Sequence, residues 1–149
     1  EQATSILDGV TTTLPALMRA LLVQERAARV GFGWPCIAGP LAQGEEECRD
    51  LRAARAAAEP SDRSRHQRVE EEFGDLLFTL VNLARFLQVN PEDTLRRATA
   101  RFSARFRYIE TQAKGCGKEL RDLTLEQMDR WWNEAKETER RNLSEPNPR

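Results

Sequence analysis

The chain has 149 residues, enough for a single domain with its own core. Its 23 Lys+Arg and 24 Asp+Glu leave a net charge of −1, which argues against a general binding surface for nucleic-acid polymers and directs any phosphate chemistry to a local site. Three widely spaced cysteines without a CxxC pattern argue against a disulfide framework, and no apolar run approaches the roughly 18 residues that span a bilayer. A cytoplasmic protein with reduced thiols is the expectation. The chain begins at Glu1 and not at Met, so a preceding segment or domain is open.

Almost everything between the breaks reads as helix. Leu14, Leu17, Met18, Leu21 and Leu22 recur at helical spacing and predict a first helix over 14–30, stopped by Gly31. GFGWPCIAGP, residues 31–40, reads as a loop punctuated by Gly and Pro. A second helix is expected over 41–58, halted by Pro60, with a polar linker over 61–65 and a third helix over 65–88. Asn90-Pro91 is an N-cap followed by proline at the first helical position, and it opens a fourth helix to about Ala113. GCGK, 115–118, is a turn. Thr124, with Gln127 completing a capping box, starts a last helix to about Arg140. Residues 6–141 are then one domain and 142–149 a frayed tail. No period-2 pattern competes, so the fold class is all-α, a bundle of about five helices.

The third helix poses a physical problem. A wheel at about 100° per residue gives it an apolar stripe of Val69, Phe73, Leu76, Leu77, Leu80, Leu83, Ala84 and Leu87. Glu72 sits on the edge of that stripe, Asp75 lies beside it, and Thr79 and Asn82 continue the polar border. In the second helix Glu46, Glu47 and Asp50 share one face through i,i+3 and i,i+4 spacing. Two antiparallel helices on a short linker would oppose these sets and crowd five carboxylates into one groove. Such crowding is costly where water is partly excluded and is relieved by protonation or a divalent cation. An all-oxygen site suits Mg²⁺ or Mn²⁺, whereas zinc prefers His or Cys. A solvated acidic face is the alternative.

Weaker features frame that site. His66 is the only histidine, which removes two-histidine zinc sites. Arg97, Arg101 and Arg105 recur along the fourth helix, while Phe102, Phe106 and Ile109 make its apolar face. Such a stripe is either solvent-facing or a set of fixed cations for a polyphosphate. Trp131 and Trp132 suit packing, and one of them could stack on a base.

Three stretches, GVTTTLPALMRALLVQERAARVGFGWP, EEECRDLRAA and VEEEFGDLLFTLVNLARFLQVNPEDTLRRATARFSARFRYIE, together resemble the MazG nucleoside triphosphate pyrophosphohydrolases, over about residues 6–139. The resemblance is to the C-terminal, catalytic repeat of the two-repeat members. It implies an all-α pyrophosphohydrolase fold, a homodimer, and Mg²⁺-dependent cleavage of a nucleoside triphosphate to monophosphate and pyrophosphate. Carried over by position, the EExxE…ExxD signature makes Glu47, Asp50, Glu72 and Asp75 the metal ligands. Arg68, Arg101, Arg105 and Trp132 then contact phosphates or base. Glu46, a carboxylate free of the metal, is the candidate to orient or deprotonate the attacking water. Asp50 stands where the family usually has Glu, Gln43 where it has Lys, Thr99 where it has Asn, and Gly33 where it has Asp. Two other readings stay open: a nucleotide- or metal-binding helical dimer that has lost turnover, and a purely structural dimer.

Overall fold

A computed structural model describes residues 4–145. Among these residues there are five α-helices and no strand: α1 (Ala16–Arg29), α2 (Ala38–Ala56), α3 (Asp62–Leu87), α4 (Pro91–Gly115) and α5 (Leu125–Ser144), with a short 3₁₀ turn at Leu120–Asp122. The all-α expectation stands. No helix among the described residues is long and apolar enough to cross a membrane.

Several boundaries moved for local reasons. α2 begins at Ala38, inside the expected loop, because a proline in the first helical turn removes only an N–H that has no intrahelical partner; Pro40 is buried there. α3 begins at Asp62, since the Ser61 hydroxyl accepts from the Ser64 backbone N–H at 3.1 Å and Asp62 puts a carboxylate on the positive helix end. The polar linker is therefore mostly helix. α5 has its capping box, with Thr124 and Gln127 exchanging two 3.1 Å bonds, and continues to Ser144. The rest of the expected tail, 146–149, lies outside the described residues.

The chain divides into two compact units, residues 1–94 and 95–149. In the first, α2 and α3 form a hairpin and α1 packs on α3. The core there is small: Leu21, Ala54, Val81 and Ala84. The wheel for α3 needs correction. Val81, which it left out, is 2% exposed, and Thr79 on its polar border is 7% exposed, while Phe73, Leu77 and Leu80 are 41–50% exposed. The wheel weighted the largest apolar side chains, but α3 carries apolar residues on more than one side and packs its smaller ones inward. Gly44 on α2 faces the Thr79 methyl, where an added Cβ would make an ordinary 3.8 Å contact.

In the second unit, Ile109, Ala113 and Leu123 form a buried cluster that Leu120, Met128, Trp131 and Trp132 cover. Beside it Arg105 forks onto Glu139, with Nε donating to Oε1 at 3.1 Å and Nη2 to Oε2 at 2.9 Å, and its guanidinium lies 5.3 Å from the Trp132 ring centre. That fork holds the Glu139 carboxyl below the usual carboxylate range, the hydrogen bond outweighing partial desolvation. Phe102 tilts onto Trp132 at 5.3 Å.

Candidate metal centre and cleft

The α2–α3 hairpin brings three of the expected carboxylates together. Oxygens of Glu47, Asp50 and Glu72 lie within 4.8 Å of one another, from one turn of α2 and one turn of α3. Glu47 is 8% exposed, and Asp50 and Glu72 are half-buried. Asp50 reaches the cluster in spite of its short side chain. Burial pushes the proton affinity of Glu72 up, and the negative charges of Asp50, Glu47 and Asp75 add to this; Arg68 opposes it. The donor set is all carboxylate, hard and negative, which fits Mg²⁺ or Mn²⁺ and not a metal that needs nitrogen or sulfur.

One more side chain shapes the cluster. The Gln43 amide donates to Oε1 of the buried Glu47 from one turn earlier on α2. That bond orients the carboxylate through a neutral donor and adds no positive charge to the trio.

The other expected residues are placed as follows. Asp75 is exposed, lies outside the tight trio, and lines the adjoining cleft. Glu46 is exposed and belongs neither to the trio nor to the cleft wall, so the groove holds fewer carboxylates than expected. Arg68 pairs with Glu59 at 3.0 Å while its charge still reaches Glu72. Arg101 is exposed in the second unit, where its charge acts on Glu139; Arg105 and Trp132 are joined there as described.

The cleft that Glu47 and Asp75 enter has a volume of about 490 Å³. Its wall is mostly apolar, with Val23, Phe32, Trp34 and Phe78 alongside Thr79, Asn82 and Arg85. Trp34 is held against Gly39: a Cβ there would stand 2.5 Å from the indole ring, so any larger residue would displace it. Gln24 was not anticipated. Its Nε2 donates to the Phe78 carbonyl at 2.8 Å, and it is 8% exposed. A polar residue three positions after Leu21, on the buried side of α1, was the signal available in the sequence. Arg85 was missed too, because nothing in a lone arginine near a helix end marks it as facing a cavity.

Fold and site together define a class: an all-α protein whose central hairpin carries a carboxylate cluster of metal-ligating spacing at the end of an apolar cleft. No protein-family model matches the chain. Curated relatives do. It is 39% identical over 136 residues to the nucleoside triphosphate pyrophosphohydrolase/pyrophosphatase MazG of Thermotoga maritima, covering 91% of this chain and 50% of that protein. It is 39% identical over 135 residues to the nucleoside triphosphate pyrophosphohydrolase of Escherichia coli K12, again 91% of this chain and 50% of that protein. A third relative, the uncharacterized protein YabN of Bacillus subtilis, is 45% identical over 137 residues, 92% of this chain and 27% of YabN. The chain belongs to the MazG-like family, and it spans about half the length, or less, of the curated relatives it matches.

If the trio is a cation site, its charges repel when empty. Glu72→Gln is expected to raise the melting temperature of the EDTA-treated protein and to remove the further rise on adding Mg²⁺. Differential scanning calorimetry checks both. A fall of many degrees in the metal-free variant would make Glu72 a structural residue.

Proposed function

We propose that the chain is a divalent-cation-dependent nucleoside triphosphate pyrophosphohydrolase, releasing a nucleoside monophosphate and pyrophosphate. The observation that carries it is the Glu47–Asp50–Glu72 cluster beside a cleft large enough for a nucleoside. The names of the Thermotoga and Escherichia relatives support the same reaction. We read residues 6–141 as the MazG-like domain.

Glu47, Asp50 and Glu72 would hold Mg²⁺, with Mn²⁺ able to substitute, and Asp75 would complete the set from the cleft side. When bound, the cation supplies Lewis-acid polarisation of the attacked phosphorus and neutralises charge on the leaving pyrophosphate. Gln43 keeps the Glu47 carboxylate in one orientation by its hydrogen bond. The apolar wall excludes water from the nucleoside end of the cleft. Arg68 is the cation of this unit that we assign to phosphate. Glu46 was the candidate to orient the attacking water, but its exposed position off the cleft wall gives that role little support.

One observation favours a second reading, nucleotide binding without turnover. Arg105, expected at phosphate, is already engaged by Glu139. An assay separates the two. Incubation with a panel of nucleoside triphosphates and Mg²⁺ is expected to release pyrophosphate, not orthophosphate, from at least one of them, and EDTA should stop it. Glu46→Gln should retain most of the rate and Glu72→Gln should lose it. Orthophosphate alone, or a rate indifferent to EDTA, would overturn the proposal; binding with no release supports the second reading.

We further propose a homodimer in the cytoplasm. The three cysteines are free, as in a reducing compartment. Phe73, Phe78, Leu80 and Leu87 on α3 are 48–59% exposed in the single chain, more apolar surface on one helix than a soluble monomer ordinarily leaves uncovered. Multi-angle light scattering at micromolar concentration should give twice the chain mass; a monomer mass would contradict it.

A further inference from the structure

Among the described residues, one buried side-chain polar atom has no hydrogen-bond partner: Oε1 of Gln24. Its surroundings are unusual for such an atom. Gln24 belongs to the wall of the cleft that ends at Glu47 and Asp75. Its amide cannot turn over, because Nε2 donates to the Phe78 carbonyl, an acceptor only; a flip would set two oxygens face to face. Oε1 is therefore committed as an acceptor. Buried polar atoms without a protein partner are rare, and such an acceptor is met by a water, an ion or a bound group.

A second group on the same wall also lacks its usual complement. The Arg85 guanidinium donates from Nε to Asn82 Oδ1 at 3.1 Å and lies 4.4 Å from the Phe86 ring centre, with no carboxylate among the described residues paired to it. Gly33 contributes to this: a Cβ there would stand 3.6 Å from Nη2 of Arg85, so a carboxylate at that position would meet the guanidinium, and glycine leaves it unneutralised. Asp75, Phe78, Asn82 and Arg85 follow one another at steps of three and four residues along α3. At about 1.5 Å per residue the cleft thus runs some 15 Å from its acidic end to its basic end. Phosphates seated at the acids put the base toward Arg85, with Gln24, bonded to the Phe78 carbonyl, between the two ends.

Resting on the pyrophosphohydrolase reading, we infer that Gln24 and Arg85 select a nucleobase with a lactam edge, a ring N–H beside a carbonyl. The ring N–H donates to Gln24 Oε1, and Arg85 donates to the carbonyl oxygen. Phe32, 81% exposed on the same cleft wall, offers an aromatic face to the ring. Guanine and uracil carry such an edge; adenine and cytosine do not present a ring N–H there.

The test uses binding, so it does not depend on turnover. Calorimetry compares GMP with 1-methyl-GMP, which keeps the carbonyl and loses the N–H, and with AMP, on the whole chain and on Gln24→Met. The wild type should bind GMP about tenfold or more tightly than either competitor, and Gln24→Met should bring GMP and 1-methyl-GMP together. Equal wild-type affinities would overturn the inference, as would preference for AMP. So would a variant that still rejects the methyl group, since the methyl would then be excluded by shape alone. If Gln24→Met does not fold, the three-ligand comparison on the wild type decides. A preference for GMP without pyrophosphate release in the assay above would leave the inference standing and remove the reaction.

Discussion

Like charges on two adjacent helices govern this structure. Pairing α2 with α3 buries Ala54, Val81 and Ala84, and the same pairing forces Glu47, Asp50 and Glu72 to within 4.8 Å of one another. Apolar burial and carboxylate repulsion are thus coupled: the hairpin cannot close its core without concentrating the charge. Desolvation and three neighbouring anions raise the proton affinity of Glu72, which is how an unpaired cluster shows its cost. A cation held by these three carboxylates would convert that cost into affinity, because the folded hairpin has already brought their oxygens together.

The surrounding groups fit this arrangement. Gln43 orients Glu47 with a neutral donor and adds no positive charge. Arg68 stands close enough to temper Glu72 but is paired with Glu59 and not with the trio. In the second unit the polar resource is spent differently: Arg105 and Glu139 satisfy each other beside Trp132 and tie α4 to α5. An arginine stripe on one helix therefore holds residues with different duties, Arg105 in a packed ion pair and Arg101 exposed.

What the sequence made legible follows from the range of the forces involved. Helix starts at Asn90-Pro91 and Thr124 depend on hydrogen bonds within four residues, and both were readable. The carboxylate trio was readable because i,i+3 spacing on two successive helices joined by a short linker nearly determines what they oppose. Asp75 fell outside the trio because a helical wheel fixes a direction only to within a few tens of degrees. The inward face of α3 was misjudged for a different reason. Which side of a helix is covered depends on its partners, and Thr79 and Val81 face them while Phe73 and Leu80 do not. Gln24 and Arg85 acquire meaning only from a cleft assembled by α1, α2, α3 and the loop before α2, and no local pattern encodes that meeting.

The central claim is that Glu47, Asp50 and Glu72 form one divalent-cation site, and its most direct test is a Mn²⁺ titration followed by electron paramagnetic resonance of the free ion. The wild-type protein should deplete the free Mn²⁺ signal with saturation, Mg²⁺ should restore that signal by competition, and Glu47→Gln should weaken binding by about tenfold or more, since it removes the least exposed ligand. Depletion that is equal in the wild type and Glu47→Gln, or that zinc alone can reverse, would contradict the account.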